Sequence, residues 1–228
     1  MSTTRDPGRH RRVGVRRHGG GHGVPGGFGA HGNPRDFQLM LGRLEDPGRL
    51  RWQRPARLVQ ALGLRRGQTV AEIGAGSGYF VRRLARVVGP RGRVYAVDVE
   101  PRMLPILIER LRRGGISNVT PVLGRDDDPL LPGRSCDLVP VVNTYHHFPG
   151  GPRYLRRLRR LLRPGGRLVN VDFHRRETRV GPPLERRVAR ETFLRDARRA
   201  GFRLVREATF LPYQYCLVLA PLARLTGS

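Results

Sequence analysis

Val70-Ala71-Glu72-Ile73-Gly74-Ala75-Gly76-Ser77-Gly78-Tyr79-Phe80 reads as a buried strand that runs into a glycine loop and then into a helix. Glycine lets the chain turn tightly and lets a ligand approach the backbone without meeting a Cβ. The free N–H groups at the start of the following helix favour an anionic group. About 20 residues further on, Val94-Tyr95-Ala96-Val97-Asp98 is a strand that ends in a carboxylate, a position suited to ribose hydroxyls in a doubly wound sheet. The glycine spacing is G-x-G-x-G, and Tyr79 stands where a dinucleotide site carries its third glycine. Glu72, just ahead of the loop, is awkward for a dinucleotide and suits a ligand with an ammonium or sulfonium group.

Outward from this loop the chain alternates strand and helix. Thr69–Ile73, Arg93–Val99, Val119–Leu123, Cys136–Val142 and Arg167–Phe173 are predicted strands. Gly78–Val88, Met103–Leu111, Tyr154–Leu162 and Glu191–Ala200 are predicted helices, with Pro105 expected to start or kink its own. Arg163-Pro164-Gly165-Gly166 is read as the stop of the helix before it. Asp36 to Leu44 and Pro55 to Leu62 are predicted short helices ahead of the alternation. This spacing predicts right-handed crossovers and a mostly parallel α/β sheet. Phe202–Phe210 and Tyr213–Leu219 close the chain with only a short link at Leu211-Pro212, so the last strand is predicted to run antiparallel.

The chain has 228 residues, enough for one domain with a core of its own, plus a tail. Its formal net charge is +26, and all 44 basic residues are arginine. This charge favours anionic partners, but it is spread over the folded part rather than gathered in one stripe. Residues 1–35 are rich in Gly, Arg and His and poor in large apolar residues, so they are predicted to be disordered, with the domain spanning 36–228 and its N-terminal helices 36–62. The tail histidines His10, His18, His22 and His31 lack metal-ligand spacing, and Cys136 and Cys216 are too isolated for a structural zinc; no metal site is expected. The cysteines read as small core residues, although a single bridge between them is also compatible with the sequence. No apolar run approaches the roughly 20 residues of a membrane span, and the arginine-rich start does not read as a secretory signal, so a cytoplasmic domain is expected.

Ala71–Gly78 resembles the first motif of the class I S-adenosylmethionine-dependent methyltransferases. Asp98 matches their ribose-holding acid, and Arg163-Pro164-Gly165-Gly166-Arg167-Leu168 resembles the turn before their fifth strand. The likeness runs from about Trp52 to Leu219. It implies a Rossmann-like, doubly wound sheet of seven strands with the last inserted antiparallel, and S-adenosyl-L-methionine as cofactor. More narrowly, Trp52-Gln53-Arg54-Pro55, Gly78-Tyr79-Phe80, Tyr145-His146-His147, Gly181-Pro182-Pro183 and Leu211-Pro212-Tyr213-Gln214-Tyr215 are similar to a bacterial subgroup of small methyltransferases without a defined substrate. In similar proteins the residue before Thr-Tyr-His-His is commonly aspartate. Here it is Asn143, which can orient a ligand but cannot act as a base.

The expected cofactor-binding residues are Glu72, Gly74, Ala75, Gly76, Gly78, Asp98 and Asn143, with Asp126 and Asp127 both open for the adenine amino group. Ligands of open α/β sheets bind outside the carboxyl ends of the strands, which puts Tyr145, His146 and His147 at the site. His146 is the first choice for a general base, with His147 and Tyr145 behind it and only one histidine expected to face the cofactor. Asp172, Phe173 and His174 end the fifth strand and also suit the pocket, and Arg175, Arg176 and Arg179 follow them. The expected reaction is methyl transfer to a small or medium-sized acceptor. Two other readings keep the fold: a nucleic-acid methyltransferase using the basic surface, and a non-catalytic cofactor-binding scaffold.

Overall fold

A computed structural model describes residues 36–223. The reading of residues 1–35 as a disordered tail falls outside the described residues. Three helices come first: α1 (Phe37–Leu44), α2 (Arg49–Trp52) and α3 (Pro55–Ala61). Asp36 caps α1 by accepting the Leu39 amide at 3.0 Å, and Pro55 opens α3 at a position where its missing N–H costs nothing. The alternating part follows as β1 (Thr69–Ile73), α4 (Val81–Val88), β2 (Arg93–Asp98), α5 (Met103–Arg113), β3 (Val119–Leu123), β4 (Cys136–Val142), α6 (Gly151–Leu161), β5 (Leu162–Phe173), α7 (Arg190–Arg199), β6 (Phe202–Ala208) and β7 (Gln214–Pro221).

The seven strands form one sheet in the order β3-β2-β1-β4-β5-β7-β6. The pairs from β3 to β5 are all parallel, and β7 is antiparallel to both β5 and β6. This is the doubly wound arrangement, with the order reversing between β1 and β4, where β1 pairs with β2 on one side and β4 on the other.

Strand periodicity sorts the side chains into two cores. Val70, Leu138, Cys216 and Val218 face one side and pack under α3, α4 and α5; their neighbours Ala71, Val139 and Leu217 face the other and pack under α6 and α7. The helices meet the sheet through matching stripes. In α4 the buried residues are Val81, Leu84, Ala85 and Val88, with Arg82, Arg83 and Arg86 turned outward. Both cysteines are free and buried, one in each core.

Two local expectations change. Pro105 is the third residue of α5, within the first turn, where its nitrogen has no helical acceptor to lose, so it neither starts nor kinks the helix. The Pro164-Gly165-Gly166 turn lies inside β5 rather than before it. Leu162 pairs with Cys136, the register then shifts, and the ladder resumes at Arg167 opposite Leu138. A Cβ on Gly166 would lie 2.9 Å from the Arg163 carbonyl and 3.1 Å from that of Cys136, so only glycine fits this bulge.

Candidate functional site

The carboxyl ends of β1, β2, β4 and β5 converge on a cavity of about 880 Å³. The size is ordinary for a small-molecule site, and the place is the switch point of the strand order. Its floor is the glycine loop. Gly74, Ala75 and Gly76 line it, and both glycines have left-handed backbones, at φ +76° and +53°. A Cβ on Gly74 would press on Thr144 of the β4 loop. Gly78 is different: it does not line the cavity. At φ +85° it is where α5 comes against the loop, and a Cβ there would sit 2.5 Å from Leu107 Cδ1. Its lack of a Cβ serves the packing of α5 against the loop.

Two acids stand on either side of the loop. Asp98 ends β2 at the cavity wall. Its Oδ2 accepts the Gly76 amide at 2.6 Å, and its Oδ1 accepts the Glu100 amide at 2.9 Å. Burial raises its pKa, with these backbone donors opposing. Glu72 is 2 % exposed and also lines the cavity, and its Oε2 has no hydrogen-bond partner. Desolvation pushes its pKa up to about 8, against the pull of the nearby Arg49 guanidinium. An orphaned, deeply buried carboxyl oxygen on a cavity wall is costly unless something cationic or donor-rich meets it.

Of Asp126 and Asp127, which follow β3, Asp126 lines the cavity and Asp127 does not. Asp127 is about half exposed and pairs with Arg153 and Arg157 on α6. Asn143 lines the cavity with a left-handed backbone, φ +55°, and its Oδ1 accepts a hydrogen bond from Gln214 Nε2 of β7. A short 3₁₀ turn, Tyr145–His147, follows. Its three side chains part company. Tyr145 is 3 % exposed, packs edge-on against Phe193 of α7 and donates its hydroxyl to Asp196 at 2.8 Å. Burial and that carboxylate raise its pKa further from the working range. It does not line the cavity, so its placement beside a substrate is corrected. His146 and His147 both line it, with ring centroids 4.2 Å apart, where one histidine was expected. His146 Nδ1 lies 3.0 Å from each oxygen of Asp172, which is fully buried beneath it.

Phe173 reaches the cavity, but His174, Arg175, Arg176 and Arg179 do not. The arginines that do are Arg43, Arg49, Arg125, Arg186 and Arg187, none of which stood out among 44. Arg49 is buried, donates to Gln53 Oε1 at 2.8 Å and to the Leu44 carbonyl, and lies 3.8 Å over the Tyr79 ring. Arg187 secures the loop after β5. Its Nε donates to Pro182 O, Nη1 to Arg176 O and His174 O, and Nη2 to Val180 O. Gly181, at φ +104°, lets this loop lie on the Phe173 ring. Trp52, at the end of α2, packs 5.4 Å from the same ring and completes an aromatic wall. It lies in the quoted Trp52-Gln53-Arg54-Pro55 run, and its rarity was the one signal that could have marked it: it is the single tryptophan of the chain.

Comparison with known proteins follows the same lines. Residues 70–166 match the family model described as a methyltransferase domain. The ubiquinone/menaquinone biosynthesis C-methyltransferase UbiE of Enterobacter sp. (strain 638) is 32% identical over 116 residues, covering 50% of this chain and 46% of that protein. The protein of the same name from Escherichia coli (strain K12 / DH10B) matches with the same identity and coverage. The chain thus spans about half the length of these curated relatives. Among solved structures, a SAM-dependent methyltransferase from Aquifex aeolicus superposes with a TM-score of 0.76 at 27% identity, covering 79% of this chain and 96% of that one. The [4+2]-cyclase SpnF superposes at 0.60 with 21% identity, covering 68% of this chain and 59% of its own, a likeness of fold alone.

Proposed function

We propose that this chain, which carries a class I S-adenosylmethionine-dependent methyltransferase domain, moves the methyl group of S-adenosylmethionine to a small-molecule acceptor. The observation that carries this reading is the orphaned Glu72 carboxyl oxygen on the wall of a cavity also lined by Asp98, which ends the neighbouring strand. The residues present fit the cofactor. Asp98 has lone pairs left for ribose hydroxyls after its two backbone donors. Glu72 complements an ammonium group, and Gly74 and Gly76 leave the loop backbone open. Asp126, which lines the cavity where Asp127 does not, would receive an adenine amino group. When bound, S-adenosylmethionine supplies a methyl group already activated by a positively charged sulfur.

The chain then needs to align an acceptor, exclude water and accept a proton where one is released. Trp52, Phe173 and the loop pinned by Arg187 supply walls that shield and orient a flat or apolar body. His146 and His147 supply nitrogens beside them. Asn143, held by Gln214, positions but cannot deprotonate. A small acceptor is favoured because α1, α2 and the loop around Gly181-Pro182-Pro183 all contribute to the cavity wall, and because the curated relatives are named as C-methyltransferases of ubiquinone and menaquinone biosynthesis. Among the described residues no helix is long and apolar enough to cross a membrane.

Calorimetry with S-adenosylhomocysteine, followed by an acceptor screen with labelled methyl groups, tests the reading. Binding of S-adenosylhomocysteine in preference to NAD is expected, with label passing to a small molecule. Tighter binding of NAD, or no binding of either, overturns it. Label passing only to RNA, with an affinity that falls steeply with salt, would move the acceptor to nucleic acid.

A further inference from the structure

The side chain of Asp172 does not line the cavity, and no comparison assigns it a role. It is the penultimate residue of β5, fully buried and directly behind His146. One carboxylate oxygen accepts the Phe173 amide at 2.8 Å, and the other faces the His146 amide at 3.4 Å. Both oxygens lie 3.0 Å from His146 Nδ1. A bare Nδ1 would point its lone pair at two acceptor oxygens. Only a protonated Nδ1 can bond to them, and a neutral imidazole with its proton on Nδ1 has none on Nε2. The His146 side chain is 4 % exposed and lines the cavity, so with Nδ1 turned onto the buried carboxylate, the edge carrying Nε2 faces the ligand space.

We infer that Asp172 is a positioning residue that holds His146 in the Nδ1–H tautomer, so that a bare Nε2 is presented to an acceptor that must lose a proton from oxygen or carbon. This rests on the methyl-transfer reading above. In the step it serves, His146 Nε2 takes the proton that the acceptor O–H or C–H releases as the acceptor atom bonds to the methyl carbon. The electron pair of the broken carbon–sulfur bond stays on sulfur, which leaves as a neutral thioether. The resulting imidazolium keeps its Nδ1–H on Asp172 and passes the Nε2 proton to water. Asn143, which follows β4 on the same wall, has no basic atom to compete for this role. An amine or thiolate acceptor, already deprotonated on arrival, would leave the buried pair without use. The class of acceptor indicated is therefore a hydroxyl, phenol, enol or carbon acid.

The substitution Asp172→Asn distinguishes this from simple packing. With the new side chain's single oxygen kept on the Phe173 amide, its NH₂ group takes the place of the other oxygen, 3.0 Å from Nδ1. That favours the opposite tautomer, with the proton on Nε2. Long-range ¹H–¹⁵N NMR of the ¹⁵N-histidine-labelled full chain at pH 8 reads the tautomer directly. The His146 signals are assigned by loss in His146→Gln. In the wild type, Nε2 is expected at the bare, pyridine-like position and Nδ1 at the protonated, pyrrole-like one. Asp172→Asn should exchange the two positions, while S-adenosylhomocysteine affinity stays within a few fold. A wild-type spectrum with the proton on Nε2 overturns the inference, whether or not Asp172→Asn folds. So does an Asp172→Asn protein that keeps the wild-type tautomer. Absence of S-adenosylhomocysteine binding with the expected tautomer intact would instead count against the methyl-transfer reading, which keeps the two failures apart.

Discussion

Asp98 clasps two segments at once: its Oδ2 accepts the Gly76 amide and its Oδ1 the Glu100 amide, so the end of β2 ties the glycine loop to the turn that starts α5. The residue read as the ribose acid is therefore also a structural anchor. Asp98→Ala is expected to reduce S-adenosylhomocysteine affinity about 10–100-fold, or ~1.4–2.8 kcal/mol. It should also lower the melting temperature of the ligand-free protein, because two buried amides lose their acceptor at roughly 1–3 kcal/mol each. Calorimetry and thermal denaturation on the same samples check both. Unchanged affinity in a destabilised variant would leave Asp98 only its anchoring role.

Glu72 links pH to both stability and binding. Its folded pKa of about 8 lies above its ordinary value of 4.5, so between those pH values the native state keeps a proton that the unfolded chain has released. This group therefore makes ligand-free stability fall as pH rises from about 4.5 to about 8, by up to ~1.4 kcal/mol per pH unit, with no further change outside that window. A cationic ligand that requires the carboxylate should release up to one proton on binding at pH 6.5. Titrations in two buffers of different ionisation heat count that proton. Glu72→Gln should abolish the release and flatten the slope; if neither changes, another group governs them.

Gly76→Ala and Gly78→Ala should separate contact from packing. Both positions are left-handed, so each alanine is expected to cost about 1–2 kcal/mol of stability. Only Gly76 lines the cavity. S-adenosylhomocysteine affinity should drop at least tenfold for Gly76→Ala and stay within a few fold for Gly78→Ala. Equal losses in the two variants would mean that the whole loop moves as one piece.

Arg187 bonds to four carbonyls of one loop, a pattern that the ammonium of lysine cannot reproduce. Arg187→Lys is expected to speed amide hydrogen exchange across residues 176–184 while leaving the sheet protected, and Arg187→Ala to do so more strongly. Hydrogen-exchange mass spectrometry localises the effect. Uniformly faster exchange throughout the domain would show that the arginine supports the global core instead.

Much of this was legible because it rests on periodicity. The strand Val94–Asp98 and the helical stripe of Phe80, Val81, Leu84, Val87 and Val88 depend on local spacing, and all of the stripe but the exposed Val87 meets the core. The glycine loop with its flanking acids was equally local. What was not legible depends on partners distant in the chain. Gly78 answers to Leu107, and nothing near either residue announces the other. Tyr145 turns away from the cavity because Phe193 and Asp196 lie on its side of a 3₁₀ turn, while its neighbours point to the ligand space. Asp127 stands away from the cavity because α6 brings Arg153 and Arg157 up to it. Arg49 and Arg187 were hidden by abundance: burial against carbonyls, not residue type, separates them from the solvated arginines.

The antiparallel β7 has one more consequence, for the history of the chain rather than its chemistry. It lies between β5 and β6, so among the described residues β6 has no sheet neighbour other than β7, and β5 keeps an unpaired edge on that side until residues 214–221 arrive. On a ribosome, strands β1 to β5 can already pair, while Phe202–Ala208 must wait for a segment made later. An open parallel edge invites association with other chains. Between the synthesis of β5 and the insertion of β7, that edge of β5 therefore stands open to other chains.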